Sequence, residues 1–206
     1  MNMKLATNEI KQIERYLDAK GIVYVDLRFE ILDHLILQIE EEINNSCVDF
    51  ESAFLQVTKQ WNAHFNYSSS LLFGLSFSAP KLILDKAKKI YLKYFIIYKL
   101  SFLLLPFLNT EVGISTFLKC VIIGIMVLFS IISFITFNKI RTSSKKTVYS
   151  FIAKTQIWSV IAFPVFILVV YKGLYTSLWL LFNMSILLYC SIVFLKKHQQ
   201  IVKQFN

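Results

Sequence analysis

The 206-residue chain has almost no acid beyond its first third: 2 of its 13 aspartates and glutamates lie past residue 70, and none falls inside a long apolar run. Without carboxylates there, a proton or cation relay through those runs lacks its usual counter-charge, which argues against a pump. Glycine is scarce, at five residues, so little material exists for loops that cradle phosphate, and no glycine-rich phosphate loop or dinucleotide fingerprint occurs. G-x-S-x-G and H-E-x-x-H are absent too, which removes the nucleophile elbow and the zinc-protease helix. The three cysteines, Cys47, Cys120 and Cys190, are odd in number, far apart and without C-x-x-C spacing, so no disulfide or zinc site is implied. The first residues, MNMKLATNEIKQIERYL, contain no apolar h-region and no small-residue cleavage site, and the N-terminal part is expected to stay in the cytoplasm.

What the chain has is a division of solvents. Residues 1 to 70 hold 11 acids and 6 bases, a net charge of −5, whereas residues 71 to 206 carry 2 acids and 16 bases, or +14, together with the long aliphatic and aromatic runs. The longest run, Gly113 to Phe137, carries a single charge, Lys119. As a helix, residues 114 to 137 reach roughly 36 Å, enough for a hydrocarbon core of about 30 Å. The bases flank such runs instead of forming a patch on a soluble fold, so the basic balance points to a lipid bilayer and not to nucleic acid.

In the acidic part three amphipathic helices are expected. Thr7 opens the first and Gly21, followed by Ile22, closes it near Lys20. The second spans about Tyr24 to Ile43, with Phe29, Leu32, Ile36, Ile39 and Ile43 at spacings of three and four and Leu27, Ile31 and Leu35 widening the stripe. Asp49 caps a third, whose stripe is Phe50, Phe54, Val57, Trp61 and Phe65. Residues 67–79 read as a linker, a loop or short helix, and Ser78 and Pro80 as the start of a basic stem helix with Lys81, Lys86, Lys88, Lys89 and Lys93.

The expected architecture is therefore all-α: a cytoplasmic three-helix module (1–66), the linker (67–79), then a stem and a four-helix transmembrane bundle (80–206) with spans at about 90–108, 114–137, 150–171 and 174–195. Bases are absent from 109–113, concentrated at Lys139, Arg141, Lys145 and Lys146, reduced to Lys172 before the last span, and return at Lys196, Lys197 and Lys203. Positive charge stays on the cytoplasmic side, so a multi-pass protein of the cytoplasmic membrane with both termini in the cytoplasm is expected. Within the spans the polar residues are Lys99, Lys119, Lys154, Gln156 and Asn183. Lys119 and Lys154 are near enough to span ends to snorkel, Lys99 is deeper, and Asn183 is placed to bond a neighbouring helix.

The chemistry-bearing pattern lies on the second helix. Asp26, Glu30, Asp33, His34, Glu40 and Glu41 form an acidic ridge, the candidate contact surface for a protein partner. Asp26, Glu30 and His34 recur at successive fours on one face, which is also a spacing for a divalent metal ion. No second helix supplies matching ligands, no catalytic residue is assigned, and no cofactor is expected. The ridge and the stem lysines, on one side of the membrane, are expected to attract each other with a salt-dependent coupling.

The run Gly21-Ile22-Val23-Tyr24-Val25-Asp26-Leu27-Arg28-Phe29-Glu30-Ile31-Leu32-Asp33-His34, with Ile39-Glu40-Glu41-Glu42-Ile43 and Phe50-Glu51-Ser52-Ala53-Phe54, resembles a family of uncharacterised bacterial multi-span membrane proteins whose N-terminal module is similar to the HAAS signalling domain. The resemblance covers roughly residues 5 to 66. It implies a helical signalling module joined to several spans and transfers no catalytic residues. Three functions are thus in view: a signalling or regulatory membrane protein binding a protein partner or its own copy, an accessory subunit of a transport or channel complex, and a metal-dependent enzyme.

Overall fold

The computed structural model describes residues 4–101, 115–157, 160 and 174–205, with the side chains of 98, 99 and 174–176 outside the described set. The elements are α1 (Thr7–Ala19), α2 (Val25–Ser46), α3 (Phe50–Phe65), β1 (Tyr67–Ser70), β2 (Gly74–Pro80), α4 (Lys81–Ser101), α5 (Thr116–Arg141), α6 (helical residues 148–157) and α7 (Leu174–Gln204). They fall into two compact units. The first, the head, comprises Met1–Lys86, Lys145–Val148 and Phe205; the second comprises Ala87–Ser144, Tyr149–Gln204 and Asn206.

In the head, α1 ends as expected. Gly21 takes φ +71°, its N–H donates to the Asp18 carbonyl at 2.9 Å and the Ile22 N–H to that of Leu17 at 3.1 Å, so two orphan carbonyls are satisfied and Ile22 folds into the core. At the other end the cap is Ala6, not Thr7: the Glu9 carboxylate accepts from the Ala6 N–H at 2.6 Å. Arg28 pairs with Asp18 and donates to the carbonyls of Glu14 and Ile22, tying α2 to the last turn of α1. The buried face of α2 is Leu27, Ile31, Leu32, Leu35, Ile39 and Ile43. Phe29 and Ile36, read as core, lie at its margin, and Phe29 is 46% exposed. A fourfold spacing from Leu27 and a mixed spacing from Phe29 fit equally well along the sequence, and packing against α1 and α3 selects the former. On α3 the buried set is Ala53, Val57, Thr58 and Phe65. Tyr16 stacks edge-on against Phe54 and Phe65 and donates its hydroxyl to Asn62 at 3.1 Å; burial pushes this phenol up to about 12.

Residues 67–79 are neither loop nor helix. They form an antiparallel hairpin, Tyr67 opposite Pro80 and Ser70 opposite Gly74, closed by a turn in which the Phe73 N–H donates to the Ser70 carbonyl at 3.0 Å. Gly74 supplies the φ of +89° that the turn exit needs. Phe73 in the turn and Ala79 and Pro80 at the end of β2 are buried while Leu71 and Leu75 are bare, so the ribbon is covered at its turn and at its last residues and open between them. Pro80 thus ends a strand, and α4 begins only at Lys81. Among the described residues the fold is mostly helical with this one small sheet.

In the second unit, Thr116–Arg141 and Ser177–Gln204 within α7 are long and apolar enough to cross a membrane; among the described residues these are two such helices, not four. The other expected spans, 90–108 and 150–171, run through 102–114 and 161–173, outside the described residues. Ser115 caps α5 by accepting from the Leu118 N–H at 3.3 Å. The helices α5 and α7 pack through Ile122, Met126, Trp179, Leu180 and Met184. Polar side chains bridge the helices: the Ser101 hydroxyl donates to Asn183 at 2.8 Å, the Trp179 indole to the Ser101 carbonyl at 2.8 Å, Tyr91 to Gln156 at 2.9 Å and Ser130 to the Val160 carbonyl at 3.0 Å. Asn183 and Gln156 therefore act as helix-to-helix ties. The side chain of Lys99 lies outside the described residues.

Candidate functional site

The first turns of α2 hold three pieces of chain remote in sequence, all within the head. The N-cap of α2, Tyr24, pairs in a parallel bridge with Lys146, and the Val25 N–H donates to the Lys146 carbonyl at 2.9 Å. One residue on, the Asp26 carboxylate accepts from the N–H of Val148 at 3.1 and 3.2 Å. Val148 is the first residue of α6. Each helix therefore receives at its N-terminus a group from the chain segment of the other: a carbonyl satisfies an orphan amide of α2, and a carboxylate satisfies the first amide of α6. Asp26 sits close to two helix N-termini, where the partial positive charge of the peptide dipoles favours an anion.

Lys86, near the start of α4, completes the site. Its ammonium donates to the Glu30 carboxylate at 2.7 Å and to the Asp26 carbonyl at 3.2 Å. Phe29 stacks face to face on Phe205, centroids 4.5 Å apart, and the Lys145 ammonium donates to the Phe205 carbonyl at 2.6 Å. Burial raises the Asp26 carboxyl above its ordinary range, an effect opposed by the Val148 N–H and by Lys86. Tyr24 is pushed up to about 12 by burial and by its neighbours Tyr67 and Asp26.

The six residues of the ridge thus have separate fates. Asp26 is a half-buried cap and Glu30 an exposed ion-pair partner. Glu40 is half-buried and accepts from the Leu5 N–H at 3.0 Å, holding the chain that enters α1. Asp33, His34 and Glu41 remain exposed. Asp26, Glu30 and His34 do not come together as metal ligands: among the described residues no group of three or more His, Cys, Asp or Glu side chains is arranged to hold an ion. The attraction expected between ridge and stem lysines takes the specific form of Lys86 on Glu30. The residues that sequence reasoning missed are Val148, Lys146 and Phe205. Val148 and Lys146 act through backbone groups, which leave no side-chain signature.

Compared with known proteins, the chain matches no family model, no curated protein and no solved structure.

Proposed function

We propose that the chain is a multi-pass protein of the cytoplasmic membrane, of signalling or regulatory type, with both termini in the cytoplasm and a helical head that binds a protein partner. The observation that carries this reading is the mutual capping of α2 and α6 through Asp26 and Lys146. A partner that grips the exposed Asp33, His34 and Glu41 of α2 pulls on the same helix that supplies the cap of α6. Binding on the head is thereby coupled to the chain that leads into the apolar part, which is what a signalling module needs. The three-helix head is compatible with a HAAS-like role.

The membrane assignment draws support from the surface of the two apolar helices. Only 28% of the most apolar stretch of α5 and 39% of that of α7 is buried, where the core helix of a soluble protein would be mostly covered. On α5, Phe117, Val121, Leu128, Ile131 and Ile135 are bare, opposite the face that meets α7. A helix apolar on both faces suits one face on protein and one in lipid. The same bare face favours the second reading, an accessory subunit whose α5 is covered by another membrane protein. Among the described residues the metal-enzyme reading has no assembled ligand set.

Photoreactive residues placed singly at positions 33 and 41 of the intact chain, and at position 59 on α3 as a control, test the proposal in native membranes. The expected result is one protein adduct from positions 33 and 41 that is absent from 59. No adduct, or the same adducts from all three, would remove the acidic helix as a partner surface.

A further inference from the structure

A groove of about 520 Å³ opens at the C-terminal ends of α5 and α7, within the second unit, lined by Lys139, Thr142, Ser143, Leu195, Val202 and Lys203 among others. Its size is that of an ordinary small-molecule site, roughly 300–1,000 Å³. Among the described residues no acidic side chain lines it. Lys139 and Lys203 are exposed and make no ion pair among the described residues. The chemistry offered is two ammonium groups, the hydroxyls of Thr142, Ser143 and Ser144, the His198 imidazole and the Gln199 amide beside apolar Leu195 and Val202, complementary to a phosphate carried on a glycerol backbone.

Its depth matches that ligand. Lys139 follows the apolar run of α5 by two residues after Phe137, and Leu195 ends the apolar run of α7. Side chains on a helix tilt toward its N-terminus, so both lysines lean back toward the apolar stretches instead of away from them. That is the level of the headgroups if these helices cross a bilayer, and basic pockets between spans at that level bind acidic headgroups.

We propose that this groove binds the headgroup phosphate of an anionic glycerophospholipid, an inference that rests on the membrane reading above. The lipid seats between α5 and α7, its phosphate on Lys139 and Lys203 and its glycerol against Leu195 and Val202. This is distinct from a diffuse attraction of basic residues to a charged surface, because Lys196 and Lys197 are exposed on the same stretch of α7 but do not line the groove.

The test uses the full chain, purified in mild detergent and exchanged into nanodiscs of equal phosphatidylglycerol and phosphatidylcholine, with retained lipid identified by native mass spectrometry. Wild type and the Lys196→Ala/Lys197→Ala variant should retain phosphatidylglycerol selectively. Lys139→Ala/Lys203→Ala, which removes the same net charge, should retain it roughly thirtyfold less well; Lys139→Arg/Lys203→Arg should restore it and show that the site tolerates substitution. Equal loss in the two alanine variants, or no selectivity in wild type, overturns the proposal. Displacement of the lipid by millimolar inorganic phosphate, with equal protection of the protein, would also overturn it by making the ligand a soluble anion. Carbonate extraction of native membranes separates the premise: release of the chain defeats the membrane reading, whereas retention without lipid selectivity defeats the groove alone.

Discussion

Replacing Asp26 by alanine tests whether the head holds the start of α6. The change removes the acceptor that the Val148 amide uses at 3.1 and 3.2 Å, and Val148 itself is fully buried, so water cannot easily take the acceptor's place. A buried donor left without a partner costs about 1–3 kcal/mol, and loss of an N-cap side chain about 0.5–2 kcal/mol. Against this, the variant no longer has to bury a carboxylate that burial disfavours, so a net loss of about 1 kcal/mol is expected at neutral pH. The assay is hydrogen exchange on the intact chain in detergent: protection of the Val148 amide should fall by roughly fivefold to tenfold. The pH dependence carries the sign. With the folded carboxyl raised above its ordinary 3.8, the folded state holds its proton longer than the unfolded one. The stability this group contributes is full below pH 3.8 and is lost as pH rises through its folded value. Asp26→Asn, which keeps an acceptor oxygen and cannot ionise, should lack this part of the pH profile while preserving most of the Val148 protection. Unchanged exchange at Val148 in Asp26→Ala would refute the reasoning.

Lys86→Ala should cost no more than about 0.5 kcal/mol, because its pair with Glu30 is partly exposed, and the cost should vanish in 1 M salt; a thermal melt at two ionic strengths measures it. Gly21→Ala forces an L side chain to φ +71° and drives its Cβ into the Tyr67 hydroxyl, so the head should lose at least about 1–2 kcal/mol in denaturant melts; Tyr67→Ala should recover only the part due to the clash. Asn183→Ala should destabilise the second unit by about 0.6–1.7 kcal/mol, with a double-mutant cycle showing coupling to Ser101. Val148→Pro deletes the donor to Asp26 yet suits the first position of a helix, so amides at 152–156 should stay protected while the Val25 amide exchanges faster. Unchanged Val25 exchange would mean that the two caps act independently.

The helices of the head were legible because each carries a local signal: the glycine after α1, the acidic cap before α3 and the apolar spacing of α2. The phase of the α2 stripe was not, since ten apolar residues in one helix allow two overlapping stripes and only the neighbouring helices decide which is covered. The hairpin was missed for a related reason. Serines at 68–70 and apolar residues at 71–73 show no period long enough to weigh, and strand pairing there is fixed by the turn at Gly74 and by packing of Phe73 and Ala79 in the core. The longest apolar runs were plain because lipid or core demands the same composition along a whole helix. Which side of α5 meets α7 was not, because both faces are largely apolar and the covered side differs mainly by the small hydroxyl residues Ser130 and Ser133 beside Ile122 and Met126.

Asp26 illustrates the limit best. Along the sequence it reads as the first member of a ridge, suited to the dipole of its own helix, and that reading is physically sound. What a local pattern cannot carry is that the carboxylate also serves the amide of a residue 122 positions away. A long-range cap has no period and its donor is a backbone group, so any residue with an N–H would fit. The other half of the exchange, Lys146 to Val25, is backbone on both sides. A junction made in this way leaves its donors free to vary in side chain, but constrains one position sharply: at 26 a short acceptor is needed. Glutamate there would keep the charge but lengthen the reach by a methylene, carrying the carboxylate past the Val148 N–H that aspartate meets at 3.1 Å.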